Sequence, residues 1–394
     1  MAKKREMRSS RGDRRPPNNA VPPKSPPKKF KRLDSAFFIL ILVLLAYGLI
    51  MVFSASYANS IQRYNGNSLH FISRQAAFVV TGIIAMYIIS FVDYHVYRRL
   101  VLPIFAVGII LLVLVLIIGV ERGGAQRWID IGFTEFQPSE VMKFAMVVMF
   151  AHLTALNYKR MGTFSYGVLP YAICLMTVSA LMMLQPHLSG TVLMLLIGLI
   201  MMFVGGTKFR YFAALGGGAA LGLGGIVLFK GEYMLSRIQN WLNPFANQTS
   251  ENWQTVQSLI AIGSGGIMGR GIGESHQKFL YLPEPHNDFI FAIVCEELGL
   301  IGALLVIILF VLFTFRGFSI ASKAPDRFGY MLGVGLVAQI CIQAALNIAV
   351  VTNTIPNTGI SLPFFSYGGT AILMQLGQMG ILLNISRQAT IEKA

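Results

Sequence analysis

Long apolar runs, each closed by a short polar segment, repeat along the chain from Phe37 to Ile385. A run of roughly 18–25 apolar residues is long enough to cross a bilayer as a helix. Ten are expected, near Phe37–Ser56, Ala76–Val92, Val101–Val120, Val141–Leu156, Tyr166–Leu184, Gly190–Gly205, Tyr211–Phe229, Phe289–Phe315, Phe328–Val351 and Phe364–Ile385. The fourth and sixth are short. The seventh contains LGGGAALGLGG (Leu215–Gly225), whose glycines suit close helix packing more than a ligand loop. The pattern therefore predicts an all-α, polytopic membrane protein. Residues 34–394 form one ten-helix transmembrane bundle, with a long extracellular loop, residues 230–287, between helices seven and eight.

Composition supports a membrane protein. The chain is 55% hydrophobic and 12% charged, about half the charge of an ordinary soluble chain. The net charge of +15 is concentrated at one end: twelve of the 32 Lys and Arg residues lie between Lys3 and Arg32, against Glu6 and Asp13. Residues 1–33 are also rich in Pro and Ser and lack apolar periodicity, so a disordered cytoplasmic tail is expected. Such a tail attracts anionic membrane lipid or a partner. Nucleic acid is not the expected ligand, because no aromatic residue interleaves the charges before Phe30. No cleavable signal peptide is expected, since the first apolar run is long enough to span and more spans follow. Cys174, Cys295 and Cys341 sit inside apolar segments without metal-ligand or disulfide spacing, and read as packing residues.

Placing the basic tail inside fixes the other loops by alternation. Predicted inner segments then carry Arg98 and Arg99, Lys159 and Arg160, Lys208 and Arg210, and Arg316, Lys323 and Arg327. Both termini are cytoplasmic on this reading. The unusual polar residues gather at the other end. Glu140 and Lys143 open the fourth span on one helix face. Gln185, His187 and Ser189 form the turn before the sixth, and Asn353 and SYGGT (Ser366–Thr370) flank the last outer turn. Gln339, Gln343 and Asn347 make a polar stripe pointing the same way. Each has an ordinary explanation: an ion pair, interhelical glue, turn chemistry. Their shared side suggests a cavity open to the outer leaflet.

The segment YLPEPHNDFIFAIVCEELG (Tyr281–Gly299) adds four carboxylates at a membrane boundary: Glu284, Asp288, Glu296 and Glu297. Ionisable groups there are costly, so an unpaired one is a functional candidate. Helix capping by Asn287 or Asp288 is the competing explanation. Glu296, roughly 12 Å deeper along the helix, reads as a buried structural partner. In the preceding loop, GSGGIMGRGIG (Gly263–Gly273) follows no strand and has the wrong spacing for a phosphate loop, so a flexible lid is expected. His276, His286 and Asp288 match no strong metal-ligand spacing.

Several stretches resemble one family. AQRWIDIG with FQPSEVMK (Ala125–Gly132, Phe136–Lys143), RIQNWLNPF, QSLIAIGSGG, SHQKFLYLPEPHNDFIFAIVCEELG and NTIPNTGISLPFFSYGGT (Asn353–Thr370) are similar to the SEDS proteins FtsW, RodA and SpoVE. The form SHQKFLYLPE is closer to FtsW and SpoVE. The resemblance implies the ten-span fold and a peptidoglycan glycosyltransferase polymerising lipid II during division or sporulation. It implies a class B penicillin-binding protein as transpeptidase partner, beside other divisome membrane proteins. It assigns the catalytic aspartate to Asp288 and matches the PSE-x-x-K pair to Glu140 and Lys143. One departure is QPHLSGT (Gln185–Thr191), where many members have an aspartate in place of His187.

Polymerising lipid II by a single inverting displacement needs a base at the attacking hydroxyl. It also needs positive charge at the leaving pyrophosphate, from Arg, Lys or a divalent cation such as magnesium or manganese. No organic cofactor is expected. Asp288 is the candidate base; Glu140, Lys143, Arg237, Lys278, His286 and Ser366 are the candidate substrate contacts. Two other readings remain open at this point. A lipid II transporter would need polar groups reaching the inner side, and a scaffold for a synthase would not need the outer cluster.

Overall fold

The computed structural model describes residues 33–122, 125–132, 134–214, 239, 241–246, 250–279 and 281–389. The basic tail, Arg237 and most of the expected seventh span lie outside these residues. The helices are α1 (Ser35–Arg63), α2 (His70–Ile89), α3 (His95–Arg99), α4 (Val101–Ile118), α5 (Pro138–Asn157) and α6 (Phe164–Gly167). They continue as α7 (Leu169–Leu184), α8 (Leu188–Val204), α9 (Ser250–Gly265), α10 (Ile290–Ser322), α11 (Arg327–Val351) and α12 (Gly369–Gln388). Helices α1, α2, α4, α5, α7, α8, α10, α11 and α12 fall at the expected positions of spans one to six and eight to ten.

Among the described residues seven helical segments are long and apolar enough to cross a membrane, and Leu188–Val204 is a shorter apolar helix. Helix α12 is more polar because it carries Gln375, Gln378, Asn384 and Gln388. Two-thirds of the apolar window is buried in each of α5 and α11, against 22% in α2 and α4, so α5 and α11 form the centre. Outward faces stay apolar: Leu102, Ile117 and Phe315 are each more than 70% exposed, the arrangement lipid tails require rather than water.

Between α4 and α5 the chain forms a small antiparallel sheet, β1 (Val120–Arg122), β2 (Ala125–Asp130) and β3 (Glu135–Phe136), with Val120 opposite Trp128 and Ile129 opposite Phe136. The span pattern does not signal it, because three short strands leave no apolar periodicity. Thr370 Oγ1 donates to the Glu135 carbonyl at 3.0 Å, tying this sheet to the start of α12.

Helix α10 is broken. Gly299 has φ 64 and ψ −160, a conformation suited to glycine. A break at membrane depth must find other partners for its backbone groups. The 266–271 glycine segment supplies them. Arg270 and Gly271 N–H donate to the carbonyls of Glu296 and Glu297, while Leu300 and Ile301 N–H donate to those of Gly266 and Ile267. A Cβ at Gly269 or Gly299 would collide with the other strand of this junction. The expected lid is therefore a splint at this point, docked in the helix break, and α9 before it is fastened by Ser258 Oγ to the Val351 carbonyl at 2.8 Å.

The opposite end of the bundle holds more than basic loops. Tyr94 O–H donates to Asp326, whose carboxylate also caps α11 through Gly329 N–H at 3.3 Å. Asn384 accepts from Tyr94 N–H and donates to the Ser90 carbonyl. His95 Nδ1 lies 2.6 Å from Asp93. This polar knot joins the α2–α3 turn to α11 and α12.

Candidate active site

A cavity of about 730 Å³ opens among the N-terminal ends of α5, α8 and α12, the C-terminal end of α1 and the turn before α10. Strand β2 contributes Arg127, Trp128 and Asp130 to its wall. Of the residues expected from sequence, Glu140, Lys143, His286 and Asp288 line it.

Asp288 ends the turn that leads into α10. The helix cap is Phe289, with no side-chain cap hydrogen bond, so neither Asn287 nor Asp288 is spent on capping. Asp288 is anchored instead through its backbone carbonyl, which accepts from Asn347 Nδ2 at 2.7 Å. Asn347 also donates to the Ile360 carbonyl at 2.6 Å, so the polar stripe on α11 holds the turn in place. The Asp288 carboxylate has no hydrogen bond or ion pair among the described residues. Gly359, at φ +67, gives it room: a Cβ there would lie 3.2 Å from Oδ2. Burial and the neighbouring Glu284 carboxylate raise Asp288 to about 6, while Arg127 pulls the other way. The side chain is surrounded by protein yet faces open space, which reconciles its strong desolvation with partial exposure.

The neighbouring groups are mostly paired. Glu284 accepts from Arg63 at 3.0 Å and from Asn287 Nδ2 at 3.0 Å. His286 packs against Phe71 with ring centroids 4.5 Å apart. Burial lowers its imidazole to about 4, against the pull of Glu284 and with the push of Arg63. It is therefore neutral at physiological pH, and its 3.5 Å approach to Glu284 is a polar contact rather than an ion pair. Lys143 Nζ bonds Glu140 Oε1 at 2.8 Å and Gln343 Oε1 at 2.9 Å.

Two expected substrate contacts are corrected. Lys278 is outside the cavity wall, buried beside α10, where its ammonium meets Glu297 at 3.0 Å and Ser54 at 3.2 Å. A charge that deep in a membrane protein requires such a partner. Ser366 accepts from Leu362 N–H and donates to the Asn287 carbonyl, both at 2.7 Å. It braces the turn that carries Asp288 and does not face the cavity. Arg237 lies outside the described residues. The expected structural role of Glu296 holds: it accepts from Ser275 Oγ at 2.5 Å and His276 N–H at 2.9 Å.

Arg127, Arg74, His187 and Gly359 also line the cavity. Arg74 and Arg127 are legible in the sequence only as cations near outer helix ends, and Gly359 only as part of NTIPNTGISLPFF. Their convergence depends on loops meeting across the bundle.

The family described as cell cycle protein, FtsW/RodA/SpoVE, matches residues 34–391. The chain belongs to this family. It is 41% identical over 358 residues to stage V sporulation protein E of Bacillus subtilis, covering 90% of this chain and 97% of that one. It is 37% identical over 363 residues to a probable peptidoglycan glycosyltransferase FtsW of Trichlorobacter lovleyi, covering 91% and 94%. Among solved structures, it is similar to a chain from a peptidoglycan synthase complex that coordinates polymerization and crosslinking, with TM-score 0.76 and 24% identity over 90% and 98% of the chains. It is similar also to rod shape determining protein RodA of Thermus thermophilus, with TM-score 0.65 and 23% identity over 91% and 98%. At these identities the structures bear on the fold, which is the same polytopic bundle.

Proposed function

We propose that this protein is a peptidoglycan glycosyltransferase that polymerises lipid II at the outer face of the cytoplasmic membrane, with Asp288 as general base. The observation that carries the reading is an unpaired, half-buried carboxylate lining a cavity at one end of the bundle, also lined by Arg63, Arg74, Arg127 and Lys143. The FtsW relatives carry the same activity in their names.

In the proposed step, Asp288 takes the proton of a GlcNAc 4-hydroxyl as that oxygen attacks C1 of MurNAc. The C1–oxygen bond to pyrophosphate breaks, so an α donor gives a β product in one inversion. A base with a pKa near 6 remains ionised at neutral pH, yet is more basic than an ordinary carboxylate. General base catalysis of this kind is worth about 10²–10⁴ in rate. Cations beside the departing pyrophosphate stabilise the charge it gains. Among the described residues no three acids, histidines or cysteines gather to hold a metal ion. Glu140 and Glu284 are each turned to a cation. Magnesium or manganese is commonly held by one or two carboxylates together with substrate phosphates, so Glu284 and Asp288 would be the cavity residues to hold such an ion, which would add its charge to that of the guanidinium and ammonium groups.

A class B penicillin-binding protein is the proposed crosslinking partner, on the likeness to a synthase complex that couples the two reactions. A transporter is disfavoured because the cavity is lined from one end of the bundle, while the polar knot of Tyr94, Asp326 and Asn384 fastens the other. The test is polymerisation of purified lipid II by the protein with its cognate partner, read as glycan length on a gel. Asp288→Asn is expected to give no glycan while its thermal unfolding matches the parent. Normal glycan from that variant would overturn the assignment.

A further inference from the structure

The cavity has a second group of uncommitted polar atoms, at the end formed by α5 and α8. Ser139 Oγ, Glu140 Oε2, His187 Nδ1 and Ser189 Oγ are all buried without a hydrogen-bond partner. Their residues are 4%, 4%, 7% and 2% exposed, and all four line the cavity. A buried polar atom left without a partner destabilises the fold. All four residues line one cavity, so small side-chain rotations bring these atoms to a ligand seated there.

The kind of atom indicates the ligand. Glu140 Oε1 is already on Lys143, so its second oxygen can only accept a hydrogen bond. A phosphate or pyrophosphate has no proton to give and would be repelled by that carboxylate. Both serines and a neutral histidine donate or accept equally well. Burial, and then Arg127 and Lys143, push the His187 imidazole down to about 3, so it stays neutral. Gly190 leaves room for the ring, since a Cβ there would lie 2.8 Å from Cε1 and 3.0 Å from Nδ1. An acceptor-only carboxylate oxygen among three amphoteric groups matches hydroxyl and acetamido groups on a sugar ring.

We propose that Ser139, Glu140, His187 and Ser189 form a saccharide subsite that binds an uncharged, acetamido-bearing sugar ring by its hydroxyl and amide groups. The pyrophosphate then belongs elsewhere in the cavity. Arg127 links the two regions: its charge acts on both Asp288 and His187, and its Nη2 holds the Pro186 carbonyl in the turn before α8. A sugar seated on Ser139 and Ser189 shares the cavity that Asp288 lines. This inference rests on the glycan-polymerising reading, but its test does not use polymerisation.

The experiment is saturation-transfer NMR on the full-length protein in detergent micelles, with N,N′-diacetylchitobiose as an uncharged probe and inorganic pyrophosphate as the anionic one. The parent protein is expected to bind the disaccharide. The near-isosteric Ser139→Ala/Ser189→Ala variant should bind it about tenfold more weakly, the weight of two neutral hydrogen bonds, with pyrophosphate binding unchanged. His187→Ala should weaken the disaccharide alone. No disaccharide signal from the parent, equal binding by parent and serine variant, or loss of pyrophosphate rather than sugar would each overturn the subsite. Lipid II polymerisation measured on the same samples separates the two claims. Sugar binding without polymerisation defeats the proposed function and leaves the subsite standing, and the reverse result defeats the subsite alone.

Discussion

At the scale of single residues, two features make Asp288 unlike the other three carboxylates around it. Glu284, Glu296 and Glu297 each have a partner in Arg63, Ser275 or Lys278, whereas Asp288 faces open space. Its raised pKa sets the pH dependence. The base must be ionised, so kcat/KM for polymerisation should rise with pH, bend near 6 and level off above it. Glu284 raises Asp288 and Arg127 lowers it. Glu284→Gln should therefore move the acid limb to lower pH and Arg127→Gln to higher pH, measured as pH–rate profiles of each variant. Gly359 offers a second test. Alanine there crowds Asp288 Oδ2 and holds a positive φ, a strain of about 1–3 kcal/mol. Polymerisation by Gly359→Ala should fall by at least about tenfold while the apparent KM changes little.

At the scale of elements, the short half-helix from Ile290 to Leu298 decides where Asp288 sits. Its far end is fixed by the glycine splint and by the Lys278–Glu297 pair, which is almost fully buried. Glu297→Gln leaves the Lys278 ammonium without a counter-charge and should cost about 3–5 kcal/mol of stability, read by unfolding in detergent. Lys278→Met/Glu297→Met should recover much of that loss, because a buried pair replaced whole leaves no charge exposed to the apolar interior. The sequence showed Lys278 only as a cation in an outer loop, which is why it reads as a pyrophosphate contact. Its actual partner is a carboxylate nineteen residues on, brought near by the folding of the loop against α10. Capping failed as an explanation of Asp288 for a related reason: the turn is secured from α11 by Asn347 rather than by its own side chains.

At the scale of the whole molecule, the apolar helices set the sidedness on which the proposed function depends. Cysteine placed at Asp130, on the cavity rim, should react with a membrane-impermeant maleimide in intact cells. Cysteine at Arg99, beside the predicted inner loop, should react only after the membrane is opened. The reverse labelling would overturn the orientation. The apolar periodicity by itself determined the helical class and the positions of the described spans, because run length against bilayer thickness is a local property of the chain. The clustering of Glu140, Lys143, Asp288 and the Ser366–Thr370 turn at one end was also legible, since alternation of spans assigns each loop a side. The small sheet carrying Arg127, the splint in α10 and the burial of Lys278 were not. Each depends on which segments meet across the bundle, and hydrogen-bond partners up to hundreds of residues apart leave no periodic mark on the sequence. The sequence thus determined that the candidate catalytic residues lie at one end of a membrane bundle. Tertiary packing decided which charges cancel one another and which carboxylate is left unpaired in the cavity.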